Sequence, residues 1–118
     1  MKNTTYFALN ILKFLAPKTK PVPMKTIAVG VSLERDYVEK ICHPLREAGL
    51  IRCVQGCKGG VVLRRESANI TVLQVADLFE SPASLARGKA GAFVDKKIRA
   101  TLKDISIFKL PHQRKDSK

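Results

Sequence analysis

The pattern of hydrophobic and polar residues along the chain predicts five helices and one β-hairpin. The first helix, about Asn3 to Ala16, carries apolar residues on too many sides for a surface stripe, so we expect it to be largely buried. Pro17 ends it. A short helix from Met24 to Val29 and a tight turn from Gly30 to Leu33 follow.

The third predicted helix, about Glu34 to Ala48, separates an apolar face from a charged one. Its apolar face holds Tyr37, Val38, Ile41, Leu45 and Ala48 at the helical period. Gly49 followed by Leu50 is a good signal for the end of a helix, because glycine accepts the left-handed conformation. Pro44 removes one backbone donor inside the helix, and we expect a kink or a distorted turn there.

Two short β-branched stretches, Ile51 to Gln55 and Val61 to Arg65, flank a glycine-rich segment. This pattern predicts a two-stranded hairpin with a flexible tip.

The fourth predicted helix, Val72 to Glu80, has the clearest start signal. Thr71 and Gln74 fit a capping box, and Ile70 and Val75 fit a hydrophobic staple. Three of its residues are expected to face inward: Leu73, Ala76 and Phe79. A last helix, about Phe93 to Ile105, carries one apolar stripe formed by Val94, Ile98, Leu102 and Ile105.

Composition narrows the class of protein. At 118 residues the chain has the length of one domain, and 45% hydrophobic residues are enough to fold it. The candidate apolar run, Tyr6 to Ala16, is interrupted by Asn10 and Lys13, so we expect a chain that neither spans a membrane nor is secreted. An odd number of cysteines, three, suggests reduced thiols in a cytoplasm.

The net charge points to a polyanionic partner. Lys plus Arg number 22 against 10 Asp plus Glu, which gives +12 at pH 7. Residues 1–66 carry 12 basic and 5 acidic side chains (+7) and residues 67–118 carry 10 and 5 (+5), so the charge is not confined to a tail. Nucleic acid is the leading partner and a membrane surface the second.

The predicted elements follow the order of a winged helix-turn-helix: a helix, a short helix, a tight turn, a helix and a glycine-tipped hairpin. The predicted fold class is therefore mainly α with a small β-hairpin. Several segments carry a closer resemblance: Tyr6-Phe7-Ala8-Leu9, Tyr37-Val38-Glu39-Lys40-Ile41, Pro44-Leu45-Arg46-Glu47-Ala48-Gly49-Leu50-Ile51, Gln55-Gly56-Cys57-Lys58-Gly59-Gly60 and Ile70-Thr71-Val72. In these segments the chain resembles the Rrf2 family of bacterial transcription regulators, from about Tyr6 to Leu110.

The resemblance implies a homodimer that puts its recognition helix in the major groove and its wing at the minor groove. It also implies four parts: a DNA-binding domain (1–80), a linker (81–92), a dimerisation helix with its following segment (93–110) and a basic tail (111–118). The dimer interface is expected at Val94, Ile98, Leu102 and Ile105. Such a dimer would bind a palindromic operator in double-stranded DNA.

The chain departs from the family at three places. Relatives that hold an iron–sulfur cluster have three cysteines between the fourth helix and the dimer helix, whereas Ser81 to Ala92 has none, so we expect no cofactor. In the wing, Gln55 stands where Arg is common and Val61 where an aromatic residue is usual, which predicts weaker or different wing contacts. The first helix begins with few basic residues, so phosphate contacts are expected to come partly from elsewhere.

The expected DNA contacts fall into three groups. Recognition-helix residues are Glu34, Arg35, Asp36, Glu39 and Lys40. Wing residues are Gln55, Gly56, Lys58, Gly59 and Gly60, and phosphate contacts are Lys2, Lys25 and Arg52. Arg35 suits guanine O6 and N7, and a carboxylate suits cytosine N4; the resemblance assigns base reading to Glu39. The alternative is an ordinary solvated helix face with capping carboxylates and surface lysines.

The cysteines leave a second role open. Cys53 and Cys57 lie four apart on the hairpin, where oxidation would alter the wing; the alternative is a small buried Cys53 and an incidental Cys57. Cys42 is expected to serve packing, and no metal site is expected. No catalytic motif occurs, so an enzyme is not expected. The rival function is a winged-helix module that binds a protein partner.

Overall fold

A computed structural model describes residues 3–57, 59–64, 66, 69–80, 97 and 100–110. Its elements are α1 (Asn3–Leu15), α2 (Met24–Val31), α3 (Arg35–Glu47), β1 (Ile51–Val54), β2 (Gly60–Leu63), α4 (Val72–Phe79) and a 3-10 turn (Ile107–Lys109). Residues 97 and 100–103 are also helical, in the region of the fifth predicted helix. The expected linker and basic tail lie outside the described residues. The described chain is mainly α with one small hairpin, as predicted.

The hydrophobic core forms around α1, which packs against α2, α3 and α4. Its largest fully buried side chains include Ile11, Leu12, Leu15, Ile27, Ile41 and Leu45. The prediction of a largely buried α1 needs one correction, because Tyr6 is 48% exposed. Tyr6 instead forms part of a surface groove described below.

The turn between α2 and α3 begins later than predicted. α2 continues through Gly30 and Val31, and Ser32 takes the left-handed conformation with a φ of 58°. Burial of Val31 explains the two additional helical residues. Gly30 provides room for Phe14, because a Cβ at position 30 would lie 2.3 Å from the ring.

α3 passes through Pro44 without a break in the helix. It ends as predicted: Gly49 has a φ of 79°, and the Leu50 amide donates to the Leu45 carbonyl at 3.0 Å. Ala48, expected on the buried face, is exposed, because it lies in this terminal turn. Cys42 is a buried residue of α3 that the apolar face did not include, and its burial agrees with the packing role expected for it.

The wing is a two-stranded antiparallel sheet. Its register pairs Ile51 with Leu63 and Val54 with Gly60. β1 therefore ends one residue before Gln55, and β2 begins one residue earlier than predicted. An additional bridge joins Val22 to Val61 and ties the wing to the segment before α2.

The capping box of α4 is present as predicted: the Thr71 hydroxyl accepts from the Gln74 amide, and the Gln74 side chain accepts from the Thr71 amide. The inward face differs from the prediction. Val72 and Val75 are buried with Ala76, and Phe79 is partly buried and packs against the core as predicted, whereas Leu73 is only partly buried.

Backbone hydrogen bonds tie the C-terminal segment to the start of α4. The Val72 amide donates to the Ile105 carbonyl at 2.8 Å, and the Ile107 amide donates to the Ile70 carbonyl at 2.7 Å. The predicted helix was therefore too long at this end, because residue 103 is the last helical one and Ile105 is already committed to this pairing.

Candidate nucleic-acid interface

The turn at Ser32 sets the position of α3. The Ser32 amide donates to the Val29 carbonyl at 3.3 Å, and the Leu33 amide donates to the Ala28 carbonyl at 3.0 Å. These bonds close α2 and direct the chain into α3. The helix-turn-helix unit thus rests on local backbone pairing and on the buried contact of α2 with α3.

All five charged residues predicted to read bases are exposed along α3 and its N-cap: Glu34, Arg35, Asp36, Glu39 and Lys40. Glu34 is the N-cap residue, but its side chain makes no capping hydrogen bond. The Glu34 carboxylate therefore does not cap α3 through a hydrogen bond, whereas Asp36 lies in the first turn of the helix. Arg35 Nε lies 3.5 Å from Glu39 Oε1, an ion pair one helical turn apart in which both side chains remain largely exposed.

A groove of about 530 Å³ runs between α3 and the wing. It is lined by Pro23, Met24, Arg35, Glu39, Cys53, Val54, Gln55, Gly56, Cys57, Gly59, Gly60 and Val61. The groove therefore brings two predicted recognition-helix residues together with four predicted wing residues. Its polar surface, formed by a cation, a carboxylate and exposed backbone, can hydrogen-bond to base edges and phosphates.

Other predicted contacts do not line this groove. Lys25 on α2 and Arg52 on β1 are exposed, and each is next in sequence to a residue that lines the groove. Lys2 and Lys58 lie outside the described residues.

Sequence reasoning missed two lining residues. Pro23 and Met24 reach the groove because the bridge between Val22 and Val61 draws the start of α2 against the wing. No local signal marks that contact, since the bridged residues are far apart in sequence.

A second groove, of about 360 Å³, lies between α1 and the C-terminal segment. None of the residues that line it belongs to α3 or the wing. Its lining is mostly apolar: Tyr6, Leu9, Asn10, Lys13, Val72, Leu102, Ile105 and Leu110. Two residues of the predicted dimer stripe, Leu102 and Ile105, are thus partly buried against their own core. The other two, Val94 and Ile98, lie outside the described residues.

The three cysteines are free thiols, with Cys42 buried, Cys53 half-buried and Cys57 exposed. Burial raises the pKa of the Cys42 thiol to about 12. Within the described part of the chain, no three His, Cys, Asp or Glu side chains are grouped to hold a metal ion. No helix in that part is long and apolar enough to cross a membrane.

The cysteine positions do not fit the cluster-binding arrangement. The segment that would supply cluster ligands, Ser81 to Ala92, contains no cysteine, and the three that exist lie on α3 and the wing. A cluster needs several thiolate ligands around one point. The donor set of this chain does not provide them at that place.

Solved structures share this architecture. The structure of CymR, the global cysteine regulator of B. subtilis, superposes with a TM-score of 0.82 over 92% of both chains at 24% identity, which shows the fold. IscR of T. potens superposes with a TM-score of 0.79 at 28% identity, covering 92% of this chain and 82% of that one.

The sequence comparisons agree. The HTH-type transcriptional regulator CymR of Bacillus subtilis (strain 168) is 36% identical over 80 residues, which are 66% of this chain and 58% of CymR. The chain thus matches little more than half the length of this curated relative. A sequence profile described as Rrf2, an iron-dependent transcriptional regulator, matches residues 1–107. The predicted resemblance is confirmed, and the chain belongs to the Rrf2 family, a family of transcriptional regulators and not of enzymes.

Proposed function

We propose that this protein is a transcription regulator that binds a specific sequence in double-stranded DNA through α3 and the wing. The observation that carries the proposal is the groove where exposed Arg35 and Glu39 face the wing. Arg35 donates to guanine, and Glu39 accepts from cytosine N4. The wing glycines leave backbone groups accessible to a phosphate or to the minor groove.

Charge supports this partner. The chain carries +12, and its first 66 residues alone carry +7, so the half that contains the groove attracts polyphosphate at long range. Arg52, Lys25, Lys2 and Lys58 are the proposed phosphate contacts. Such a regulator works in the cytoplasm, where its DNA is.

We further propose that it acts as a homodimer on a palindromic operator. The apolar groove beside α1 supports this, because Tyr6 at 48% exposure and Phe108 at 66% leave large apolar side chains in solvent beside it. Leu102 lies in this groove, at the end of the proposed dimer helix. Two-fold symmetry would then place two recognition helices about one helical turn of DNA apart, or a multiple of it.

We propose that regulation does not use an iron–sulfur cluster. Since no cysteine lies in Ser81 to Ala92, the protein offers no ligand set of the kind that cluster-holding relatives have there. The signal must then act through other groups.

The test selects binding sites from genomic fragments and measures affinity for the enriched site at several salt concentrations. Arg35→Ala should weaken specific binding by about 1–3 kcal/mol and leave non-specific binding nearly unchanged. Arg52→Ala should weaken both and flatten the salt dependence by about one charge. Lys103→Ala, which removes an exposed cation that does not line the groove, is the control. Uniform recovery of all fragments, or of none, would favour a protein partner instead.

Sedimentation tests the dimer separately. Leu102→Asp places a carboxylate in the apolar groove and should dissociate the dimer. Asp104→Asn, an exposed change nearby, is the matched control and should leave the dimer intact. A Leu102→Asp protein that folds and still sediments as a dimer would refute the assigned interface.

A further inference from the structure

A third cavity, of about 300 Å³, lies between α3, β1 and the start of α2. It is lined by Met24, Glu39, Cys42, His43, Arg46 and Cys53. Three of these residues, Met24, Glu39 and Cys53, also line the groove between α3 and the wing. A chemical change in this cavity therefore acts directly on a wall of the proposed DNA site.

The two thiols in this cavity differ in reactivity. Cys42 is only 3% exposed, and its burial raises the pKa of its thiol to about 12, with the neighbouring Cys53 and Glu39 adding to the rise. At neutral pH Cys42 is thus protonated and is a poor first nucleophile. Cys53 is half-buried and accessible from the groove.

Arg46 lies beside both thiols, since it partly offsets the rise in the pKa of Cys42 and contacts Cys53 directly. Its Nη1 donates to Cys53 Sγ at 3.9 Å, and its Nη2 lies 3.1 Å from His43 Nδ1. The contact with His43 holds the guanidinium in the last turn of α3, beside the Cys53 sulfur. Cys53 is thus the more exposed thiol of the pair, and its sulfur already contacts a side chain of α3.

We propose that Cys42 and Cys53 form a reversible disulfide within one chain when the protein meets hydrogen peroxide, and that this bond lowers DNA affinity. The sequence alone pointed to Cys53 with Cys57, whereas the shared cavity points to Cys42 as the partner. The disulfide rests on the cavity; its effect on DNA rests on the proposed function.

The chemistry balances in two steps. The Cys53 thiolate attacks one peroxide oxygen, the S–O bond forms, the O–O bond breaks, and hydroxide leaves and becomes water. Cys53 sulfur is oxidised by two electrons to a sulfenic acid, and the peroxide is reduced. The Cys42 sulfur then attacks the Cys53 sulfur, the S–S bond forms, and the hydroxyl leaves as water with the Cys42 proton. A dithiol reductant reverses the bond.

The bond would change the groove because of where the two residues lie. Cys53 belongs to β1, which leads within two residues to the wing tip, and Cys42 belongs to the recognition helix. An S–S distance of about 2.0 Å draws the Cys53 sulfur from the groove wall toward Cys42 in the cavity. The distance between α3 and the wing in the oxidised protein then differs from that in the reduced protein.

Peptide mapping of the full chain tests the bond itself. Trypsin cleaves after Lys40, Arg46, Arg52 and Lys58, so Cys42 falls in peptide 41–46 and Cys53 in peptide 53–58. The assay uses Cys57→Ser, because Cys57 shares the second peptide. After peroxide treatment we expect these two peptides as one cross-linked species, two hydrogens lighter than their sum, from a protein that runs as a monomer on a denaturing gel without reductant.

Cys42→Ser is the matched variant. It should form no cross-link, and its Cys53 should remain a sulfenic acid that dimedone traps. Absence of the cross-link in Cys57→Ser, or a parent protein oxidised only within peptide 53–58, would overturn the proposal.

Affinity for the selected DNA site tests the regulatory step. We expect cross-linked Cys57→Ser to bind about tenfold more weakly than its reduced form and to recover with dithiothreitol. Equal binding by the two forms would refute the regulation and leave DNA recognition standing. Failure of the reduced parent to bind any duplex would instead refute the proposed function, whatever the peptide map shows.

Discussion

The backbone of Gly60 packs directly against that of Val22: a Cβ at position 60 would lie 2.4 Å from both the carbonyl carbon and the carbonyl oxygen of Val22. Beside this contact, Val22 and Val61 exchange two backbone hydrogen bonds of 2.9 and 2.8 Å. The segment before α2 therefore fixes the base of the wing, and with it one side of the groove that faces α3.

Gly60→Ala should lower the free energy of unfolding by about 1–3 kcal/mol, because two backbone segments cannot move apart without breaking these bonds. Urea denaturation measures the loss. Gly49→Ala is the control: its φ is 79°, but no atom lies within 4 Å of the added Cβ, so only the left-handed conformation costs energy, about 1 kcal/mol. A smaller loss for Gly60→Ala than for Gly49→Ala would contradict the close contact.

The wing shows which parts of the fold can be predicted from the sequence. Its two strands follow from β-branched residues on either side of glycines, a local pattern. The contact with Val22 could not be predicted from a local pattern. The stretch Pro17 to Pro23 has the composition of a linker, and Val61, which pairs with Val22, lies far along the chain. Pro23 and Met24 were missed as groove residues for the same reason.

Thr71→Ala should destabilise the protein by about 1 kcal/mol, because it leaves the Gln74 amide without the hydroxyl that now accepts from it at 3.2 Å. Thr71→Ser keeps that oxygen and should retain most of the stability. Thermal unfolding of the two variants side by side measures the difference. Equal losses in both would show that the methyl group of Thr71, and not the cap, matters.

α4 also shows which features follow from neighbouring residues and which depend on tertiary packing. Its start was predicted correctly and its end to within one residue, because the capping box and the staple involve neighbours in sequence. Its inward face was correct at Ala76 and Phe79 but wrong at Leu73, because Val72 and Val75 are the residues that pack into the core beside Ala76. Likewise the period placed Arg35 and Glu39 on the exposed face of α3, but the cavity shared by Cys42 and Cys53 depends on packing between separate elements.

Lys13→Met should destabilise the protein by about 1–3 kcal/mol, because Lys13 is only 8% exposed and its Nζ donates to the Phe108 carbonyl at 2.9 Å. The unbranched Met keeps most of the packing of the stem. In the sequence this residue is only an interruption of an apolar run. Lys18→Met is the control, since Lys18 is exposed and lies 5.0 Å above the Phe14 ring; it should cost less than about 1 kcal/mol. Equal losses by chemical denaturation would contradict the role of the hydrogen bond.

Cys42 should make the protein lose stability as the pH rises above 9. Its pKa rises from an ordinary value of 9.0 to about 12 in the fold, so above pH 9 the unfolded chain releases the thiol proton while the folded chain keeps it. This contribution is fully present below pH 9 and is lost as the pH rises toward 12. At pH 10 it amounts to a loss of about 1 kcal/mol.

The comparison with Cys42→Ala isolates this effect from the other groups that titrate at alkaline pH. The variant should be less stable at pH 7, because a buried side chain is lost, but its free energy of unfolding should fall less between pH 7 and pH 10 than that of the parent. Both proteins are measured by urea denaturation in the presence of reductant, so that no disulfide contributes. Parallel losses in the two proteins would mean that the Cys42 thiol is not held protonated by its burial, and the first oxidation would then be assigned to Cys53 on its exposure alone.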